Sequence, residues 1–431
     1  MAFIADLHIH SRFSRATSKN LDLPLLAAWA AIKGIGVLAS GDFTHPAWRA
    51  ELREGLCPDE ASGLLRMRAP ADARTRLPHF GSLLQRMELP LFMLQAEISC
   101  IYKRDGRVRK VHNLVYMPDF DAAERFSRKL EQLGKLSSDG RPILALDSRS
   151  LLELALEADS RAALVPAHIW TPWFSLFGAK SGFDSIEECF GDLSGEIFAL
   201  ETGLSSDPAM NRLWSALDRF RLVSNSDAHS GEKLGREANL FTGPPSYTGI
   251  FAALRAQAGP CTFTGTLEFY PEEGKYHLDG HRACKLVFEP QQSRACNNIC
   301  PVCGKEVTVG VLHRLLDLAD RSEALYPQAR EANFLSLVPL SEILRELLGV
   351  GLQSRKLLAC HAALLERLGP ELELLCYRPL AEVRACWEEL GEALERVRTG
   401  KVLRRGGYDG EYGLVQIFDA TERKSLKAWA G

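Results

Sequence analysis

Five short apolar runs in the first 230 residues each close on an acid or a histidine. "FIADLHIH" ends in His8 and His10, "VLASGD" in Asp42, "LQAE" in Glu97, "ALVPAH" in His168, and "LVSNSDAH" in Asp227 and His229. Side chains two apart on a strand leave the same face, so His8 with His10, and Asp227 with His229, can each address one ion. Ligands placed repeatedly at the carboxyl ends of apolar strands suit a barrel enzyme, because those ends converge on one mouth. The apolar runs (3–7, 37–39, 91–96, 114–116, 143–146, 162–165, 197–200 and 222–223) alternate with helical stretches such as 23–33, 122–133 and 208–220. That order predicts an α/β chain with a parallel sheet, and the strand count predicts a barrel.

His112 breaks the rule by preceding its run in "VHNLVYM". The segment "EISCIYKRDGRVRKVHNLVY" centres Asp105-Gly106 between two strand-like arms, which is a hairpin signal. Pairing about that turn sets His112 opposite Ser99, within two residues of Glu97, so both can reach one ion. The tip carries Lys103, Arg104, Arg107, Arg109 and Lys110. Five cations beside a metal site point to a phosphodiester backbone; a solvated basic hairpin is the plain alternative. Singly, each of these histidines and acids has an ordinary use in a core or at a helix cap. Five histidines, two aspartates and a glutamate at six strand ends are better explained by a metal centre.

With 431 residues, two or three domains are expected. Hydrophobic residues at 46% and charged residues at 25% match globular averages, which excludes wholesale disorder. A net charge of −3 excludes a uniformly basic coat, so nucleic acid would be held by local patches. The first ten residues have neither a basic nor an apolar segment of the kind that directs secretion, and no apolar run is long enough to span a membrane. A cytoplasmic, nucleoid-associated protein is expected. Composition shifts divide the chain into 1–270, 271–312 and 313–431, the last rich in Leu, Ala, Glu and Arg at helical spacing.

Eleven cysteines, an odd number, do not describe a disulfide framework, yet four of them crowd into 284–303. "HRAC" (His281, Cys284) and "CPVCG" (Cys300, Cys303) form two knuckles separated by fifteen residues. C-P-x-C-G is a zinc-ribbon signal, its turn directing backbone N–H groups at sulfur. One structural Zn²⁺ on His281, Cys284, Cys300 and Cys303 is expected, with Cys296 and His277 as competing donors. Further along, 344–358 resembles a helix-hairpin-helix. Gly349-Val350-Gly351 forms its turn and Arg355 and Lys356 follow it, where DNA contact and a mere connector are both open. The loop after His168 holds Trp170, Trp173, Phe174, Phe177 and Phe183 around Lys180. Those rings could wall an extruded base or plug the barrel. Tyr408 and Tyr412 of "GGYDGEYG" could stack on a base or pack.

"DLHIH", "AEIS", a strand-end histidine and "SDAH" resemble the PHP (polymerase and histidinol phosphatase) superfamily. More narrowly, "HSRFSRATSKN", "GDFTHP", "GKYHLDGHRAC", "CPVCGK" with "TVGVLHR", and "GYDGEYG" resemble the endonuclease Q family of DNA repair nucleases, from residue 2 to about 418. The resemblance implies a distorted (β/α)7 barrel with up to three metals on His8, His10, Asp42, Glu97, His112, His168, Asp227 and His229. It implies two or three divalent cations (Mg²⁺, Mn²⁺ or Zn²⁺), with Glu97, Asp227 and His229 central to catalysis. Arg15 and Ala16 stand where the superfamily usually offers an acid or histidine, and Phe43 follows Asp42 in place of histidine, so two metals are the firmer number and His45 the substitute ligand. The activity implied is metal-dependent incision 5′ of deaminated bases (hypoxanthine, uracil, xanthine) or abasic sites, with the base flipped out. Lys103, Arg104, Arg107, Trp170, Trp173, Lys180 and Arg355 are the expected substrate contacts. Damaged DNA is the expected partner, with a sliding clamp or helicase-type repair protein beside it. A histidinol-phosphatase-like phosphoesterase and a non-catalytic DNA-binding repair partner are the alternatives. The zinc knuckles, basic hairpin and helical extension argue against the first, and the retained His-x-His and Asp-x-His against the second.

Overall fold

A computed structural model describes residues 2–322 and 333–425. Twelve strands build the first part: β1 (Ala2–Asp6), β2 (Val37–Ala39), β3 (Leu56–Asp59), β4 (Leu64–Met67), β5 (Leu91–Arg104), β6 (Arg107–Met117), β7 (Ile143–Leu144), β8 (Ala163–Pro166), β9 (Ala199–Glu201), β10 (Arg221–Val223), β11 (Ala238–Thr242) and β12 (Thr262–Phe269). β1, β2 and β5 run parallel side by side, and β9 and β10 form a parallel pair of their own. β6 is antiparallel to both β5 and β8, while β11 and β12 continue antiparallel from the other edge of β1. The sheet is therefore mixed, not the parallel one expected. The hairpin is one reason: Asp105 and Gly106 take φ of 52° and 72°, the two positive values a tight two-residue turn needs, and reverse the chain into β6. Ser99 faces His112 in the resulting register, as predicted. β10 returns to β1 through side chains and a bridge. Ile9 bridges Ala228, and Asn225 Oδ1 accepts from the Leu7 N–H at 2.8 Å and from Asn239 Nδ2 at 2.8 Å.

Helices cover the outside because their starts and stops are written locally. Asp22, Asp119 and Asp147 accept from the N–H three residues on, opening Leu23–Lys33, Phe120–Glu131 and Ser148–Ala158. The long helix expected at 208–220 ends at Asn211. Tighter backbone turns continue from there, such as Leu217 N to the Trp214 carbonyl, and side chains brace them: Arg212 donates to the Leu217 and Phe220 carbonyls, and Asp320 accepts from the Ser215 N–H at 2.8 Å.

The cysteine-rich segment forms the small hairpin β13 (Asp279–His281) and β14 (Leu286–Phe288). The C-terminal part, expected to be mainly helical, also gives β15 (Phe334–Leu337), which joins β12 in parallel, and the hairpin of β16 (Leu403–Arg405) with β17 (Leu414–Gln416). One apolar core runs from Ile9 and Trp48 in the first part to Leu364 and Leu390 in the last. No helix among the described residues is long and apolar enough to cross a membrane.

Candidate metal centre

Strand ends and the hairpin bring six chemistry-bearing side chains to one rim. His8, His10, Glu97 and Asp227 present ligand atoms within 4.8 Å of one another, and so do Glu97, His112 and His168. Glu97 belongs to both groups and divides its oxygens between them. Its Oε2 lies 3.1 Å from His10 Nε2 and 3.6 Å from His8 Nε2, whereas Oε1 lies 2.6 Å from His112 Nδ1 and 3.1 Å from His168 Nε2. Asp227 Oδ1 completes the first group, 3.1 Å from His10 Nε2 and 3.7 Å from His8 Nε2. The geometry is that of two adjoining donor groups sharing one carboxylate, each able to hold a metal ion.

The donor set fits cations. His8 Nε2, His10 Nε2 and Asp227 Oδ1 are buried and have no hydrogen-bond partner, although all three point at the same small volume. Each imidazole is aimed by a carboxylate behind it. His8 Nδ1 donates to Glu201 at 3.0 Å, and His10 Nδ1 donates to Asp42 Oδ1 at 3.0 Å, which leaves both Nε2 atoms facing inward. Burial disfavours the His8 imidazolium, yet Glu201, Glu97 and Asp227 outweigh it and raise its pKa to about 10, a measure of how strongly the site attracts positive charge. In the second group burial wins over Glu97 and lowers His112 to about 4, so that ring is neutral and able to ligate.

Backbone strain marks the same positions. Asp42, His168 and Asp227 have φ of 47°, 28° and 46°, a region that L residues enter only when the surroundings insist. Gly203 lets one of them do so, since a Cβ there would stand 2.5 Å from His168 Cβ.

Asp42, expected among the ligands, stands one step back. Its Oδ2 accepts from Ser11 N and Oγ, both at 2.7 Å, and from Ser14 Oγ at 2.9 Å, so its oxygens are already engaged in holding His10. His45 is farther still, capping the helix Pro46–Gly55. His229 also falls outside both groups. Its Nδ1 lies 2.9 Å from the Asp227 carbonyl oxygen, and its ring packs 4.6 Å from that of His10, on the wall of the adjoining cleft. Two residues that the sequence reading passed over take part. Glu201, which also accepts from the His168 N–H at 2.8 Å and Asn225 Nδ2 at 2.8 Å, ties the two groups together. Arg141 donates to Glu97 Oε2 at 3.1 Å. Glu201 closes the run "IFAL" and so obeys the strand-end rule; nothing in the pattern singles out Arg141. Glu201→Gln should weaken Mn²⁺ binding at the His8–His10–Glu97–Asp227 group by roughly 10–100-fold, measured by titration calorimetry, because His8 loses the anion that orients and polarises it.

The basic hairpin divides. Lys103 and Arg107 are exposed, whereas Arg104 donates to the Glu188 and Cys189 carbonyls and Arg109 is buried against Phe183, 4.2 Å from its ring centroid. The tip projects roughly 25 Å along β5 beyond Glu97 at about 3.3 Å per residue, so it stands off the rim instead of lining it. The aromatic loop divides too. Trp170 is a core residue that donates to Asn211 Oδ1 at 2.7 Å and packs on Phe177 and Trp214, so it is no stacking wall. Trp173 is exposed and meets Tyr276 edge-on at 6.0 Å, and Lys180 pairs with Glu306 at 2.9 Å. Arg355 is exposed at the start of the helix Arg355–Leu368 and is not among the cleft residues.

His281, Cys284, Cys300 and Cys303 present donors within 4.8 Å of one another, the tetrahedral set a structural zinc takes. Backbone N–H groups of Cys303 and Val302 overcome the cost of burial and lower the Cys300 thiol to about 7. Cys296 instead ends the helix Pro290–Ala295, and His277 Nδ1 faces the Ser205 carbonyl at 3.2 Å. The tail string "GGYDGEYG" is woven into this segment. Gly407 accepts from the Leu278 N–H, and Asp409 accepts from Arg282 N and Thr308 Oγ1, both at 2.6 Å. That weave sets Tyr412, with Lys275 Nζ 4.6 Å from its ring centroid, on a cleft of about 350 Å³. The cleft opens beside His168, Asp227 and Glu201, and also takes in Lys233, Arg236 and Tyr276.

Residues 339–401 match the family model of the MJ0043 C-terminal domain. The uncharacterized protein MJ0043 of Methanocaldococcus jannaschii is 29% identical over 273 residues, 61% of this chain and 34% of that protein, so the chain spans about a third of that relative's length. Two solved structures match nearly end to end. The lesion-specific endonuclease PfuEndoQ of Pyrococcus furiosus superposes with a TM-score of 0.82 at 30% identity, covering 99% of this chain and 98% of that one. An endonuclease Q complex with a 27-mer duplex substrate carrying an abasic lesion at the active site gives the same TM-score and identity, covering 100% and 99%. With that identity sustained across both whole chains, the protein belongs to the endonuclease Q family.

Proposed function

We propose that this chain is a metal-dependent DNA repair endonuclease that hydrolyses the phosphodiester 5′ of a damaged nucleotide. Residues 1–270 serve as a PHP-type catalytic barrel, 271–312 as a zinc-binding module and 313–431 as a C-terminal part that touches DNA. The observation that carries the proposal is Glu97, one buried carboxylate whose two oxygens face two separate groups of imidazoles beside an open cleft. Likeness to a lesion-specific endonuclease, and to a relative holding duplex DNA with an abasic lesion, supports DNA as the substrate.

A bound pair of divalent cations supplies Lewis acidity at the phosphate and lowers the pKa of water. The chain does the rest. His8, His10 and Asp227 would hold one cation and His112 and His168 the other, with Glu97 offering one oxygen to each group. Glu201 and Asp42 keep the His8 and His10 imidazoles in the tautomer that offers Nε2. Lys233, Arg236 and Lys275 draw a polyanion toward the cleft, and Tyr276 and Tyr412 offer faces for a nucleotide taken out of the stack. Lys103 and Arg107, on the projecting hairpin, meet the backbone farther along the duplex. Deaminated bases (hypoxanthine, uracil and xanthine) and abasic sites are the lesion class, and a sliding clamp or helicase-type repair protein is the partner class.

The test is incision of a 5′-labelled duplex containing a single deoxyinosine, deoxyuridine or abasic site, with Mn²⁺ or Mg²⁺. A single nick on the 5′ side of the lesion, absent from the undamaged duplex and abolished by EDTA, is expected. Intact duplexes alongside an Asp227-dependent release of phosphate from small monoesters would overturn the proposal in favour of a phosphoesterase.

A further inference from the structure

Arg141 donates to the carboxylate that both groups of the metal centre share, and its surroundings are built unevenly. The backbone on either side is clamped. Gly140 N donates to the Phe13 carbonyl at 3.0 Å, Arg141 N donates to Asp139 Oδ1 at 3.1 Å, and the Pro142 carbonyl accepts from Ser99 N at 3.0 Å. A Cβ at Gly140 would stand 2.3 Å from Asp42 Oδ2 and 2.4 Å from Ser14 Oγ, so the loop lies hard against the layer that orients His10. The guanidinium, by contrast, makes a single side-chain hydrogen bond among the described residues, from Nη1 to Glu97 Oε2, and 27% of the side chain is exposed. Its charge helps to hold the Glu97 carboxyl low and works against protonation of His112.

That arrangement holds a contradiction. Glu97 Oε2 is also the oxygen that faces His8, His10 and Asp227 and would bind a dication there. A guanidinium and a dication on one carboxylate oxygen repel each other, while a phosphate arriving between them attracts both. The anchored loop keeps the arm in place, and the head, held by one side-chain contact and partly exposed, has only that contact to give up.

We infer that Arg141 exchanges the bridging carboxylate for a non-bridging oxygen of the scissile phosphate when the centre binds cations and DNA, acting as a catalytic guanidinium that neutralises charge developing on that phosphate. The inference rests on the endonuclease reading. It separates Arg141 from the ligands, because removing a competitor should not loosen the metals, whereas removing a phosphate donor should slow incision.

The experiment compares the native chain with Arg141→Ala and Arg141→Lys in two measurements: Mn²⁺ titration calorimetry without DNA, and single-turnover incision of a lesion duplex. Arg141→Ala should bind Mn²⁺ at least as tightly as the native chain and incise on the order of 10²–10³-fold more slowly. Millimolar guanidinium should restore part of the rate to Arg141→Ala. Arg141→Lys should fall between, since an ammonium keeps the charge and loses the fork. Unchanged incision by Arg141→Ala, or Mn²⁺ affinity falling in parallel with the rate and unaffected by guanidinium, would overturn the inference and make Arg141 a structural countercharge. A native chain that binds Mn²⁺ and nicks no lesion duplex would overturn the endonuclease reading, and this role of Arg141 with it.

Discussion

Glu97→Gln is expected to lower incision by at least 10²–10⁴-fold, the equivalent of about 3–5 kcal/mol for removing one charge from a buried, mutually dependent set. The glutamine keeps the shape of the side chain and one carbonyl acceptor, so the fold should persist. What it loses is the second anionic oxygen, and with it the bridge between the His8–His10–Asp227 group and the His112–His168 group. Metal content at the Glu97 centre should fall together with the rate, in both of its groups, whereas metal held by His281, Cys284, Cys300 and Cys303, which share no side chain with it, should stay. Loss of one cation only, with incision intact, would show that the two groups act independently.

The second large effect concerns stability. Lys33, at the end of the helix Leu23–Lys33, places Nζ 2.6 Å from Glu371 Oε1, and His361 Nε2 lies 3.1 Å from Glu371 Oε2. All three side chains are buried, and they join the first helix of the chain to the C-terminal helices. Glu371→Ala leaves a buried ammonium without its anion and should cost about 3–5 kcal/mol, read as a lower urea midpoint. The same group makes stability depend on pH. Burial opposes the Glu371 carboxylate, but Lys33 and His361 prevail and hold its pKa at about 2, against an ordinary 4.5. The folded pKa is depressed, so this contribution is complete above about pH 4.5 and is lost as pH falls toward 2. Unfolding measured between pH 5 and pH 2 should show that slope in the native chain and a shallower one in Glu371→Gln.

How far the sequence could be read depended on what kind of physics each residue obeys. His8, His10, Glu97, His168 and Asp227 follow from the period of a strand and the direction of its end, which composition-blind spacing reveals. His112 followed from a turn, because Asp105-Gly106 determines a register and the register places every residue of the arms. Asp42 shows where spacing stops. An acid at a strand end can face the ion or the histidine that holds the ion, and the choice belongs to Ser11 and Ser14, which arrive from another segment. Trp170 and Trp173 sit in one loop three residues apart, yet Asn211 draws the first into the core. Arg141 belongs to a loop with no periodicity at all. The strand β15 was hidden in a region whose composition is that of helices; its pairing with β12 is a tertiary contact that local propensity does not encode.

Electron paramagnetic resonance of the Mn²⁺-loaded chain tests the shared carboxylate most directly. Two Mn²⁺ ions bridged by Glu97 should give a spin-coupled spectrum that collapses to isolated-ion lines in Glu97→Gln. Isolated-ion lines in the native chain at saturating Mn²⁺, unchanged by that substitution, would contradict a bridged centre.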